Sequence, residues 1–215
     1  MDTQNISRPH EPFKGETPIT TTDNNTNDDE RDEETLKEET VRISVYHAAQ
    51  DDPKKNTALR LNRRGYVRIV KKIRFLPKRA IVLNPFSDIA FSPADHERLE
   101  NFGLAALDCS WEQAQKVLGE HVRGTSRCLP ILLASNPVNF GKLTKLSTAE
   151  ALSAALYIAG FKETAEQMLS IFTWGHTFFE LNQTFLDKYT TAKNSEDIIK
   201  IQKTLFENNQ NKNKQ

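Results

Sequence analysis

The chain has 215 residues, 29 Lys plus Arg against 29 Asp plus Glu, and a formal net charge of zero, enough for one large domain or two small ones with a substantial core. No apolar run approaches the ~18 residues of a membrane span, and the first residues, MDTQNISRPH, carry no secretory signal. Two cysteines, Cys109 and Cys128, make neither a disulfide framework nor a zinc quartet, so the expectation is a soluble, cytoplasmic chain without membrane or metal.

The zero is a sum of unlike parts. Residues 1–40 hold 12 acids and 4 bases and lack hydrophobic periodicity. Such a segment cannot bury enough apolar area to offset its ordering entropy, which predicts a disordered acidic tail. Residues 41–85 hold 12 bases and 2 acids, and residues 86–215 hold 13 bases and 15 acids. VRISVYHA (41–48) alternates Val41, Ile43 and Val45 with polar neighbours and reads as a strand. Asp52-Pro53 opens a turn, and a short basic helix runs to Gly65. Residues 66–76 read as a strand with a basic edge, and 80–85 as a buried strand stopped by Asn84-Pro85. Residues 92–103 have a helix grammar: Ser92 as cap, Pro93 in the first position, Asp95 completing a box, Gly103 at the end.

LAALDCSW (104–111) reads as a further strand, and the residues from Trp111 onward as a helix. The apolar segment from Arg127 passes into an Asn/Pro/Gly loop that ends at Lys142. A helix over 147–161 opens with Ser147 three residues before Glu150, and helices over 162–171, 175–189 and 195–207 follow, with a polar tail at 208–215. This order predicts an α/β N-terminal domain over 41–128 and a mostly helical domain over 129–207.

Three loops follow apolar strands and end in small or polar residues: LNPFS (83–87), LDCSW (107–111) and the long loop from Ala134 to the helix start at Ser147–Thr148. In open α/β sheets ligands sit outside the carboxyl ends of strands, so these loops are a plausible pocket. Asp108 either caps the helix after it or accepts a hydrogen bond from a ligand amine. Trp111 is either core or the wall of an apolar pocket. The helix start at Ser147–Thr148 suits a carboxylate or phosphate. Eleven bases stand in the 26 residues from Lys54 to Arg79 with no acid between them. Either they form a solvated face, or they make a surface with salt-dependent affinity for phosphates. No Walker A loop, GxGxxG or HExxH occurs, and the five histidines have no metal spacing, so neither covalent nor metal catalysis is expected.

DDPKKNTALRL (51–61), LNPFS (83–87), ALDCSWE (106–112), RCLPILLASNPVNFGKLTKLSTAEALSAALYIAGF (127–161) and FTWGHTFFELNQTFLDKY (172–189) stand in one order. Together they resemble the ribosome-biogenesis aminocarboxypropyltransferase family of archaea and eukaryotes. The resemblance implies a SPOUT-like fold whose helical domain contains a deep trefoil knot and binds S-adenosylmethionine (SAM). It implies transfer of the 3-amino-3-carboxypropyl (acp) group to N3 of N1-methylpseudouridine in small-subunit rRNA, with release of methylthioadenosine.

Carried onto this sequence, Leu83, Pro85, Leu129, Leu146 and Ala151 would pack on the adenine. The carbonyl of Leu107 would accept from the ribose. Asp108 would hold the ammonium and is the candidate catalytic group. Trp111 and Ala114 would cover the methyl and the methylene carbons, and Thr57 and Thr148 would donate to the carboxylate. Lys54, Lys55, Arg60, Arg63, Arg64, Lys78 and Arg79 would face the rRNA of the pre-ribosomal small subunit, and the chain would act as a monomer. Phe140 and Ser135 stand where the family often has Tyr and Ala. A methyltransferase of the same superfamily, a non-catalytic assembly factor and a general nucleic-acid-binding module are the competing functions.

Overall fold

A computed structural model of the chain describes residues 41–49, 52–109, 114 and 123–212, with side chains as far as residue 207. The acidic segment 1–40 and Trp111 lie outside the described residues. Of the helix expected after Trp111 only Ala114 is described, helical and buried.

The elements run β1 (Ile43–His47), α1 (Thr57–Arg63), β2 (Arg68–Val70), β3 (Ile81–Leu83), α2 (His96–Phe102), β4 (Leu104–Asp108), β5 (Thr125–Arg127), α3 (Thr148–Ile158), α4 (Lys162–Ser170), α5 (Gly175–Tyr189) and α6 (Ser195–Lys212). The five strands form one parallel sheet in the order β2-β1-β4-β3-β5. Parallel strands are covered on both faces and so carry consecutive apolar residues. Here successive residues divide between two cores by the period of two. Val45, Ile81, Leu83, Leu104 and Ala106 enter the larger core. Tyr46, Ala80, Val82, Ala105 and Leu107 enter or pack on the smaller one. The larger core continues through Leu152, Leu156, Met168, Phe178, Tyr189 and Ile198, so the sheet and helices α3 to α6 share it.

The strand expected over 66–76 is shorter. Only Arg68–Val70 pairs with β1, and the chain then makes a 3₁₀ turn at Ile73–Phe75. Val70 is buried while Lys71 and Lys72 are both exposed. In a continued strand, one of those two adjacent lysines would face a covered side of the sheet.

The apolar segment after β5 has almost no strand partner, and its backbone is satisfied by helix side chains instead. Asn182 of α5, fully buried, accepts from the N–H of Leu133 (2.8 Å) and donates to its carbonyl (2.9 Å). Gln202 of α6 accepts from the N–H of Ile131 (2.8 Å), and the Tyr189 hydroxyl donates to the Ile131 carbonyl (3.2 Å). Burial pushes the Tyr189 phenol well above its ordinary pKa, so it remains a donor.

Two glycines are required by close approach. Gly103 ends α2 at φ +82°, where a Cβ would stand 2.3 Å from the Arg42 carbonyl oxygen. At Gly175, the first residue of α5, a Cβ would stand 1.9 Å from the Leu169 carbonyl oxygen. Backbone must move to admit it, so Gly175→Ala lowers stability by about 1–3 kcal/mol in urea unfolding, the range of overpacked sites.

Candidate functional site

β1 and β4 pair in parallel with His47 opposite Asp108, which brings both residues to the carboxyl end of the sheet. There the Asp108 carboxylate is held from three directions. Its Oδ2 accepts from His47 Nδ1 (2.7 Å) and from Asn56 Nδ2 (2.7 Å), and its Oδ1 accepts from Thr148 Oγ1 (2.8 Å). Asn56 is fixed in turn as the N-cap of α1, where its Oδ1 accepts from the N–H of Leu59 (2.9 Å). A carboxylate offers about four acceptor positions. Among the described residues three are filled, and Oδ1 accepts only from Thr148. An ionised carboxylate only accepts, so His47 donates through Nδ1 in this bond. Both side chains retain 11% of their surface.

Thr57 and Thr148 lie beside this cluster. Thr57 Oγ1 accepts from the N–H of Ala149 (3.3 Å), which joins α1 to the start of α3 and leaves the Thr57 hydroxyl proton to be donated elsewhere. The hydroxyl proton of Thr148 goes to Asp108. Of the first amides of α3, that of Ala149 is taken by Thr57 and that of Glu150 by the Ser147 side chain (3.3 Å). Only the Thr148 N–H has no partner among the described residues. The anion-binding capacity of this helix start is therefore narrower than the sequence suggests.

Of the apolar residues expected around a purine, four belong to or pack on the larger core. Leu83 ends β3 inside it, and Leu129, Leu146 and Ala151 are half-buried against it. Pro85 is exposed in the turn after β3, where Asn84 Oδ1 accepts from the N–H of Phe86 (2.9 Å). Leu107 is half-buried against the smaller core. Cys109 follows Asp108, and burial, with the Asp108 charge added, pushes its thiol up to about 11.

The loop before α3 is organised by one residue. Glu150 is fully buried, and its carboxylate accepts five hydrogen bonds. The donors are the Ser135 N–H (2.6 Å), Ser135 Oγ (2.9 Å), the Asn136 N–H (2.9 Å), Asn136 Nδ2 (2.7 Å) and the Ser147 N–H (2.6 Å). The expected Ser147–Glu150 capping box is present, and the same carboxylate also closes the far end of the loop.

The family described as ribosome biogenesis protein, C-terminal, matches residues 81–206. A 16S rRNA aminocarboxypropyltransferase of Methanosarcina acetivorans is 49% identical over 164 residues, which are 75% of this chain and 92% of that protein. Its counterpart in Methanothermobacter thermautotrophicus is 47% identical over 168 residues, 77% of this chain and 99% of that protein. This chain belongs to the 16S rRNA aminocarboxypropyltransferase family. A solved SAM-dependent rRNA:acp-transferase from Vulcanisaeta distributa shares the fold, with a TM-score of 0.68 and 41% identity over 71% of this chain and 84% of that one. As a member of the aminocarboxypropyltransferase family, the chain is a transferase.

Within this aminocarboxypropyltransferase all seven expected basic residues are exposed, and they divide by partner. Lys54, Lys55, Arg63, Arg64 and Lys78 are exposed and form no ion pair among the described residues. Arg60 instead donates to the Ile171 carbonyl (2.7 Å) with its guanidinium 4.9 Å from the centre of the Phe172 ring. Arg79 stacks 3.8 Å over the Phe102 ring. Both arginines already serve in packing.

Sequence reasoning missed His47 and Asn56. His47 lies at no metal spacing, and Asn56 looks like ordinary turn chemistry. The available signal was position: His47 ends a predicted strand, as Asp108 does.

Two outcomes follow from these environments. With its pKa near 11, Cys109 is a thiol at neutral pH. Its alkylation by iodoacetamide, followed by mass spectrometry, therefore climbs about tenfold per pH unit between pH 7 and 10, with no plateau near 8.5. Glu150→Ala strands four buried donors and a half-buried one, and lowers stability in urea unfolding by about 3 kcal/mol or more.

Proposed function

We propose that this chain transfers the acp group of SAM to N3 of N1-methylpseudouridine in small-subunit rRNA and releases methylthioadenosine. The observation that carries this reading is Asp108 Oδ1, which among the described residues accepts one bond only, beside the Thr57 hydroxyl, which accepts from Ala149 and donates to none of them. An amino acid group needs an acceptor for its ammonium and donors for its carboxylate. Asp108 supplies the first, and the Thr57 hydroxyl with the Thr148 N–H supplies the second. Leu83, Pro85, Leu129, Leu146 and Ala151 offer apolar cover for adenine, and the Leu107 carbonyl an acceptor for the ribose. The residues present therefore fit SAM.

SAM, when bound, supplies an electrophilic carbon next to a sulfonium. The chain selects which carbon reacts by holding and covering. Asp108 anchors the ammonium, Trp111 and Ala114 shield the methyl, and alignment does the rest. Asp108 is thereby committed to binding, since a carboxylate paired with an ammonium is a poor base.

The wider reading has the chain act as a monomer in the cytoplasm on the pre-ribosomal small subunit, with Lys54, Lys55, Arg63, Arg64 and Lys78 on the RNA. Arg60 and Arg79 border that surface. The segment gripped by Asn182, Tyr189 and Gln202 is read as the threaded part of a trefoil knot in the helical domain over 129–207, joined to the α/β domain over 41–128.

SAM labelled in its carboxyl group puts label into small-subunit rRNA, and SAM labelled in its methyl group does not. The reverse pattern identifies a methyltransferase. Asp108→Asn weakens SAM binding by about tenfold or more in calorimetry, the scale of a lost charge-assisted bond. Unchanged affinity removes Asp108 from the pocket.

A further inference from the structure

The loop that Glu150 closes carries three exposed apolar side chains: Val138 at 78%, Phe140 at 61% and Leu143 at 43%. Exposed apolar residues on a floppy loop would mean little. This loop is not floppy. The Ala134 N–H donates to the Lys142 carbonyl (3.0 Å), the Gly141 N–H to the Ala134 carbonyl (2.7 Å), and the Thr144 N–H to the Leu132 carbonyl (3.0 Å). The Asn139 N–H is held by Asn136 Oδ1 (3.1 Å), and the Lys142 N–H donates to the Asn139 carbonyl (2.9 Å). The backbone is thus fixed while the largest side chain it carries remains in water, an arrangement that costs free energy in the isolated protein.

Charge and position narrow the partner. Residues 129–149 contain no acid, and Lys142 and Lys145 flank Leu143 and are exposed. The loop leads directly into Leu146 and Thr148, which belong to the site. An exposed aromatic ring followed by two exposed lysines, on a hydrogen-bonded loop that runs into the site, matches an unstacked nucleotide. The base lies on the ring and the phosphates meet the lysines.

We propose that this loop is the platform for an unpaired nucleotide of the RNA substrate, with Phe140 stacking on the base and Lys142 and Lys145 facing the backbone. The proposal rests on the acp-transfer reading and adds to it which residues recognise the single-stranded part of the substrate. An exposed ring stacks without reading base identity, so Phe140 supplies affinity for an open loop rather than sequence selectivity.

The test uses the full chain, an RNA stem-loop carrying the target uridine unpaired, and a fully paired duplex of equal length. Fluorescence anisotropy measures both affinities, and calorimetry measures SAM binding. Phe140→Ala is expected to weaken stem-loop binding about tenfold, to leave duplex binding and SAM affinity unchanged, and to be rescued by Phe140→Trp. Lys142→Gln is expected to weaken binding to both RNAs and flatten the salt dependence.

Parent-like stem-loop binding by Phe140→Ala overturns the proposal, as does an equal loss on duplex. A changed sedimentation coefficient with unchanged RNA affinity makes the loop a contact between copies of the chain and also overturns it. Failure of the parent to pass carboxyl label from SAM to rRNA sinks the acp-transfer reading instead. Label transfer by the parent together with full binding by Phe140→Ala sinks only the platform.

Discussion

Glu150 is a fully buried carboxylate held by five hydrogen bonds, and the geometry around the site depends on how it is satisfied. Desolvating a charge is affordable only when nearly every lone pair finds a donor. Five donors from Ser135, Asn136 and Ser147 meet that condition. They also pin both ends of the loop over 135–147 to the first turn of α3. Two residues before Glu150, Thr148 reaches Asp108. Asp108 in turn gathers Asn56 from the cap of α1 and His47 from the end of β1. One buried carboxylate therefore sets the loop, and through the helix start it sets a second carboxylate at the sheet edge. The two acids divide the work: Glu150 accepts five bonds from its loop, and Asp108 accepts three among the described residues.

The electrostatic layout follows a similar division. Equal totals of acid and base conceal a basic stretch from Lys54 to Arg79. Within it, Arg60 and Arg79 are tied to Phe172 and Phe102, while their lysine neighbours stand in solvent. Arg127 of β5 is tied as well, with Nε donating to both oxygens of Asp95 (2.9 and 3.0 Å). Arginine can stack on rings and chelate a carboxylate, whereas the strongly hydrated ammonium of lysine remains in water.

Much of this was legible in the sequence because it depends on local rules. The alternation at 41–48 and the apolar run at 80–85 locate β1 and β3, and the Ser92 and Ser147 boxes locate two helix starts. Asp108 stood out by its place at a strand end. The strand over 66–76 was overread because basic alternation looks the same whether or not a neighbour exists to pair with it. Asn182 and His47 were invisible for a related reason. Their roles come from partners 49 and 61 residues away, and no spacing rule spans such a separation. Glu150 was seen as a cap and missed as the clasp of a loop, since a capping box reports only the three residues before it.

The segment around Ile131 and Leu133 has a consequence for how the chain reaches this state. Its backbone groups are satisfied by Asn182, Tyr189 and Gln202, which follow some fifty to seventy residues later. During synthesis, therefore, the sheet can assemble as far as β5 while the next stretch still has bare amides and carbonyls. That stretch cannot be buried until α5 and α6 have left the ribosome. Nearly the whole chain must exist before its centre can close, so the final folding step is non-local and slow. A chain ending before Tyr189 lacks two of the three side chains that satisfy this stretch, so its middle closes only once the last two helices have been made.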